Sequence, residues 1–92
     1  MDVRFIRTKL PDLFLERNLN AHRFADICQV NRNTIYKIIR QERCLRYFLR
    51  TGQGCLPRPL RFSATTTMKI AQALNLAHDQ VFRLHEFKVQ YP

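Results

Sequence analysis

Apolar positions recur with helical spacing along most of the chain. Leu10, Leu13 and Phe14 fall at i, i+3 and i+4, with Pro11 where a first-turn proline is tolerated. Asn18 tolerates left-handed backbone and predicts the stop of this first helix. Asn20 offers the next cap, and Phe24, Ala25 and Cys28 form a second stripe that ends at Cys28. Gln29-Val30-Asn31 reads as a turn, with Asn31 capping a third helix that begins RNTIYKIIR. Thr66 to Leu74 predicts a fourth helix, with Ile70, Ala71 and Leu74 inward and Asn75 ending it. His78 to about Glu86 predicts a fifth, with Val81 and Phe82 buried. Near both ends the period changes to two. Val3, Phe5 and Arg7 alternate with Arg4 and Ile6, and Phe87, Val89 and Tyr91 alternate with Lys88 and Gln90. Those two short strands would pair with each other, with the middle of the chain, or with a second subunit.

The third helix has two unlike halves. At about 100° per residue from Arg32, Tyr36 falls near 40°, Arg40 near 80°, Asn33 near 100° and Lys37 near 140°. Ile38, Ile35 and Ile39 fall near 240°, 300° and 340° on the same wheel. One half is therefore apolar, and the other carries hydrogen-bonding groups without a carboxylate among them. An ordinary solvated helix face mixes in Glu and Asp, so this row suits the reading of base edges. Arg matches guanine O6 and N7, Asn matches adenine N6 and N7, and Tyr36 would meet a thymine methyl or a phosphate. Arg32, Asn33, Tyr36 and Lys37 are the candidate base contacts.

Charge sharpens this picture. Sixteen Lys and Arg against seven Asp and Glu give a net charge of +9. Between Lys37 and Arg61 stand Lys37, Arg40, Arg43, Arg46, Arg50, Arg58 and Arg61, with Glu42 as the lone acid. Such a patch concentrates a polyanion, and in nucleic acid each neutralised phosphate also releases condensed counterion. Most of the cations are Arg, the better geometric match to phosphate. Ninety-two residues leave room for one domain, 1–92. No apolar run approaches a membrane span, and MDVRFIRTKL lacks the apolar stretch of a signal peptide, so a cytoplasmic, nucleoid-associated protein is expected.

Catalytic and metal chemistry find no constellation. The acids are too scattered for paired carboxylates, no Gly-rich phosphate loop is present, and a nuclease would need more than Glu42 beside the patch. Cys28, Cys44 and Cys55 form no CxxC, and His22, His78 and His85 pair with nothing at zinc-ligand spacing. Reduced thiols are expected, a Cys44–Cys55 bridge being the alternative. A non-enzyme without metal or cofactor is expected.

The stretch NLNAHRFADICQVNRNTIYKIIRQ resembles the helix-turn-helix of the phage Cro/CI-type repressor family, the XRE-like regulators. Asn20 matches the family's small polar cap, Phe24 and Ala25 its Leu-Ala pair, and Gln29-Val30-Asn31 its Gly-Val-Ser turn. Ile35 and Ile38 match its inner positions, and TTMKIAQALNLAHDQVF resembles its fourth and fifth helices. The resemblance implies a mainly α, five-helix lambda-repressor-like domain with the helix-turn-helix at about 20–40. It implies a transcriptional regulator, a repressor bound as a homodimer to a two-fold operator in double-stranded DNA. His22, Arg23, Arg40, Arg43, Arg46 and Arg50 would then hold phosphates and set the register. An antitoxin-like module, with a toxin or antirepressor as protein partner and DNA autoregulation second, is one alternative reading. Charge-driven nonspecific binding of DNA or RNA is the other.

The chain departs from the family pattern in places. Gln29, Gln41, Asn18 and Asn75 stand where the family has glycine, and Ala77 replaces a Ser/Thr cap. Ala21 stands where the family often has Gln. The largest departure is the basic insert at about 42–65, ERCLRYFLRTGQGCLPRPLRFSAT, in place of a short connection. Both glycines of the chain lie in its TGQG, which favours a β-hairpin or wing turning at Thr51–Gly54, with Pro57 and Pro59 confining the second arm to an edge. The alternative is that the third helix runs on through Arg40 to Phe48.

Overall fold

A strand from each end of the chain meets in a two-stranded antiparallel sheet beside a helical body. The computed structural model describes residues 2–54 and 56–88. Its order is β1 (Asp2–Thr8), α1 (Leu10–Glu16), α2 (Ala21–Cys28), α3 (Arg32–Thr51), α4 (Ala64–Ala73), α5 (His78–Val81) and β2 (Phe82–Lys88). The register runs from Asp2 opposite Lys88 to Thr8 opposite Phe82. The terminal strands thus pair with each other within the chain, and the predicted tip of the second at Val89 and Tyr91 lies outside the described residues.

Local chemistry places most of the boundaries. Pro11 sits in the first turn of α1, where the Thr8 hydroxyl accepts from the Leu10 N–H at 3.1 Å. Asn18, at φ 52°, ends that helix and lets the Leu19 N–H reach the Phe14 carbonyl at 2.8 Å. The Asn20 side chain caps α2 through the Arg23 N–H at 2.8 Å, and Asn31 caps α3 through the Asn33 N–H at 2.8 Å. Between them Gln29 takes left-handed backbone at φ 57°, a conformation costly for a residue with a Cβ. Ser63 caps α4 two residues earlier than the apolar stripe predicts, through the Thr66 N–H. Ala77 offers no side-chain cap to α5; instead the Gln80 side chain accepts from the Ala77 N–H at 2.8 Å.

Apolar burial assembles these elements. Leu10, Phe14, Phe24, Ile35, Ile38, Ile39, Ile70, Leu74, Val81 and Phe82 share one core, with Phe14 and Phe24 edge to face at 5.2 Å. Each fully buried large side chain contributes about 1.5–3 kcal/mol over its exposed state. Arg17 Nη1 donates to the Leu74 carbonyl at 2.6 Å and ties α1 to the end of α4.

Three expectations fail. The fifth helix stops at Val81, and Phe82–Lys88, expected to continue it, forms β2. The strand wins because β1 supplies a full ladder of backbone partners that a lone helical turn lacks. Nor do the described residues of the insert form the favoured hairpin; the alternative, a third helix running on through Arg40 to Phe48, is the one found. The third helix runs unbroken from Arg32 to Thr51 and ends at Gly52, whose φ of 68° suits a left-handed stop. Gln41, expected in a turn where the family has glycine, lies inside this helix. It is buried, and its Oε1 accepts from the Leu60 N–H at 2.7 Å, drawing the return segment back along α3. Among the described residues no helix is long and apolar enough to cross a membrane.

Candidate nucleic-acid interface

The turn between α2 and α3 brings the starts of both helices to one surface. On α3, Ile35, Ile38 and Ile39 are buried, while Arg32, Asn33, Tyr36, Lys37 and Arg40 are all exposed. The two halves expected of this helix are therefore present, and the four candidate base contacts lie on its open side. Asn33 is fixed at its backbone by the Asn31 cap, leaving its side-chain amide outward. His22 and Arg23, in the first turn of α2, are also exposed. His22 lies against this exposed row: Arg32 Nη1 donates to His22 Nδ1 at 3.2 Å. The pair links the two helices and directs the Arg32 guanidinium across the turn.

A shallow hollow opens here between Ala25, Asp26, Val30 and Asn31, flanked by His22 and Arg32. Asp26 is exposed and is a residue that reading α3 alone misses. Its carboxylate can only accept hydrogen bonds, which suits a cytosine N4 amino group and opposes a phosphate. Spacing was the available signal: Asp26 stands one helical turn after His22 on the same side of α2.

The expected phosphate contacts divide. His22, Arg23, Arg40, Arg43 and Arg50 are exposed, and Arg50 lies over the Tyr47 ring, 5.8 Å from its centroid. Arg46 is committed elsewhere. Its Nε donates to Glu42 Oε2 at 2.7 Å, Nη1 and Nη2 grip Asp12 at 2.9 and 2.7 Å, and Nη2 also reaches the Thr8 carbonyl at 3.3 Å. Arg46 is thus a structural cation, because four of its contacts are to this chain's own oxygens.

Glu42, the lone acid of the basic stretch, is the centre of that cluster. Its side chain is 1% exposed and accepts from Arg7 Nε and Nη2 at 2.8 and 2.9 Å, from the Thr8 N–H at 3.1 Å, and from Arg46. Burial alone pushes its carboxyl up, but the hydrogen bonds from Arg7, Thr8 and Arg46 and the Arg7 charge together hold it below the ordinary glutamate value. The Arg46 hydrogen bond likewise lowers Asp12, and the guanidinium groups of Arg7 and Arg46 are raised by their acid partners. Phe5 on β1 and Leu45 on α3 are fully buried on the elements this cluster joins. The charges therefore anchor the second half of α3 to the sheet.

Among the described residues no group of three or more His, Cys, Asp or Glu is placed to hold a metal ion. Cys28 is buried, which pushes its thiol up; Cys44 is exposed on α3, and Cys55 lies outside the described residues, as does the bridge between them. Comparison with protein-family models, with curated proteins and with solved structures gives no match for this chain.

Proposed function

We propose that this protein is a sequence-specific DNA-binding transcriptional regulator of the Cro/CI-type helix-turn-helix class, a repressor that binds a two-fold operator as a homodimer. One observation carries the reading. A helix set by a tight turn against its neighbour buries three isoleucines and exposes Arg32, Asn33, Tyr36, Lys37 and Arg40 in a row free of acids. In the major groove, Arg32 takes guanine O6 and N7, Asn33 takes adenine N6 and N7, and Lys37 and Tyr36 complete the contact. Arg23 and Arg40, with the α2 N-terminal amides, hold the groove walls. His22 serves first as the partner of Arg32. Pairing of two copies suits the chain because Leu84 on β2 is 63% exposed and a two-stranded sheet has two open edges. Bound at a promoter, the dimer represses by excluding polymerase.

Selection of bound sequences from a random duplex library at physiological salt tests the whole reading. A two-fold consensus is expected. Arg32→Ala and Asn33→Ala each weaken binding to it by about 1–3 kcal/mol and relax one base position. Variants that leave the ratio of specific to nonspecific affinity unchanged would show that α3 is not the reader.

A further inference from the structure

The unbroken length of α3 places a second group of cations on the side of the helix that carries the proposed reading row. Continued at about 100° per residue from Arg32, Arg43 falls near 20°, Tyr47 near 60° and Arg50 near 0°, inside the wedge from Arg32 to Arg40. All three are exposed, and no carboxylate of α3 enters that wedge, since Glu42 points the other way into the anchoring cluster. The 20 residues of α3 span about 30 Å, whereas the major groove is about 12 Å wide. A straight helix with its first turns among base edges must pass the groove wall before its last ones.

We infer that the distal half of α3 is a second contact zone on the same duplex, in which Arg43, Tyr47 and Arg50 grip the phosphodiester backbone flanking the bases read by the first turns. The inference rests on the DNA reading above and adds an extent and a division of labour to it. Arg43 and Arg50 supply guanidinium forks for phosphate oxygens, and the Tyr47 hydroxyl donates one hydrogen bond beside them. These contacts carry no base information; they lengthen the footprint and steepen the salt dependence. The zone is preorganised. Glu42 ties its root to β1 through Arg7 and to α1 through Arg46 and Asp12, and Gln41 ties it to the return segment at Leu60. The distal cations are therefore held in fixed register with Arg32 and Asn33 rather than on a free arm.

The full-length Arg43→Ala/Arg50→Ala double variant tests this against the wild type, on a duplex several turns long carrying the selected consensus and on a random-sequence duplex of equal length. Both positions are exposed, so an unchanged melting temperature is the control for folding. Loss of two phosphate contacts lowers the slope of log affinity against log salt by about 1.8, so a fourfold change in salt alters the gap from wild type by about twelvefold. The consensus stays the same, and hydroxyl-radical protection shortens on one flank of each half-site. An unchanged slope and footprint overturn the inference and mean that the distal half points away from the duplex. The outcomes separate from those of the main reading. If the wild type selects no consensus, base reading fails, while the slope on the random duplex still decides the backbone zone.

Discussion

Replacing Glu42 with Gln tests what holds the long helix to the sheet. The substitution keeps the shape of the side chain but removes its charge and turns one acceptor oxygen into an NH2 donor. That donor then faces Arg7, Arg46 or the Thr8 N–H, all donors themselves. Removing one partner from a fully buried ion pair costs about 3–5 kcal/mol. Here the Arg7 and Arg46 side chains are 23% and 37% exposed, so water recovers part of their solvation. A loss of about 2–4 kcal/mol is therefore expected, from a total of about 5–14 kcal/mol for a domain of this size. At roughly 4–8 °C per kcal/mol for small domains, a loss near 3 kcal/mol lowers the melting temperature by about 12–24 °C. Circular dichroism melts in one buffer measure this directly.

The same substitution carries a pH signature. The folded Glu42 carboxyl lies below its unfolded value, so its contribution is complete above the ordinary glutamate range, about 4.3, and is lost as pH falls through that range and below it. Asp12 has the same sign but is half exposed to solvent, so it adds little. Stability of the wild type should fall more steeply than that of Glu42→Gln on acidification from pH 6 to about pH 3, and the two curves should converge. Parallel curves, or melting temperatures within about 3 °C at neutral pH, would refute the reasoning by showing that the cluster contributes nothing net.

Two further substitutions probe backbone and arm. Gln29→Gly should stabilise the fold by about 0.5–1 kcal/mol, because glycine relieves the left-handed backbone at φ 57° while adding entropy to the unfolded chain; a thermal melt reads the rise. Gln41→Leu should free the Leu60 N–H, cost about 1–3 kcal/mol, and speed protease cleavage in 56–62, followed by mass spectrometry of the first fragments.

The first half of the fold was legible because its signals are local. Asn18, Asn20 and Asn31 do at α1, α2 and α3 what their side chains and backbone tolerance predict. The buried isoleucines and exposed cations of α3 follow from a 3.6-residue period. The failure at the fifth helix has its cause in a partner distant in sequence. Val81 and Phe82 satisfy a helical stripe and a strand start equally well, and only β1, whose Thr8 pairs with Phe82, decides between them. In the insert, the two glycines advertise a hairpin turn, yet only the first terminates a structure, and that structure is a helix.

Glu42 and Arg46 show how a remote partner changes a residue's meaning. At i and i+4 they look like a surface pair on a helix, worth a few tenths of a kcal/mol. With Arg7 arriving 35 positions earlier in the chain, Glu42 is buried and the pair becomes a joint between three elements. Part of the positive excess that suggested a phosphate-binding patch is thereby neutralised within the fold. Among the exposed cations of α3, those available to a polyanion are Arg32, Lys37, Arg40, Arg43 and Arg50. The physically meaningful charge is this outward set, since Arg46 spends four of its five N–H donors on this chain's own oxygens and has lost the open fork that a phosphate takes.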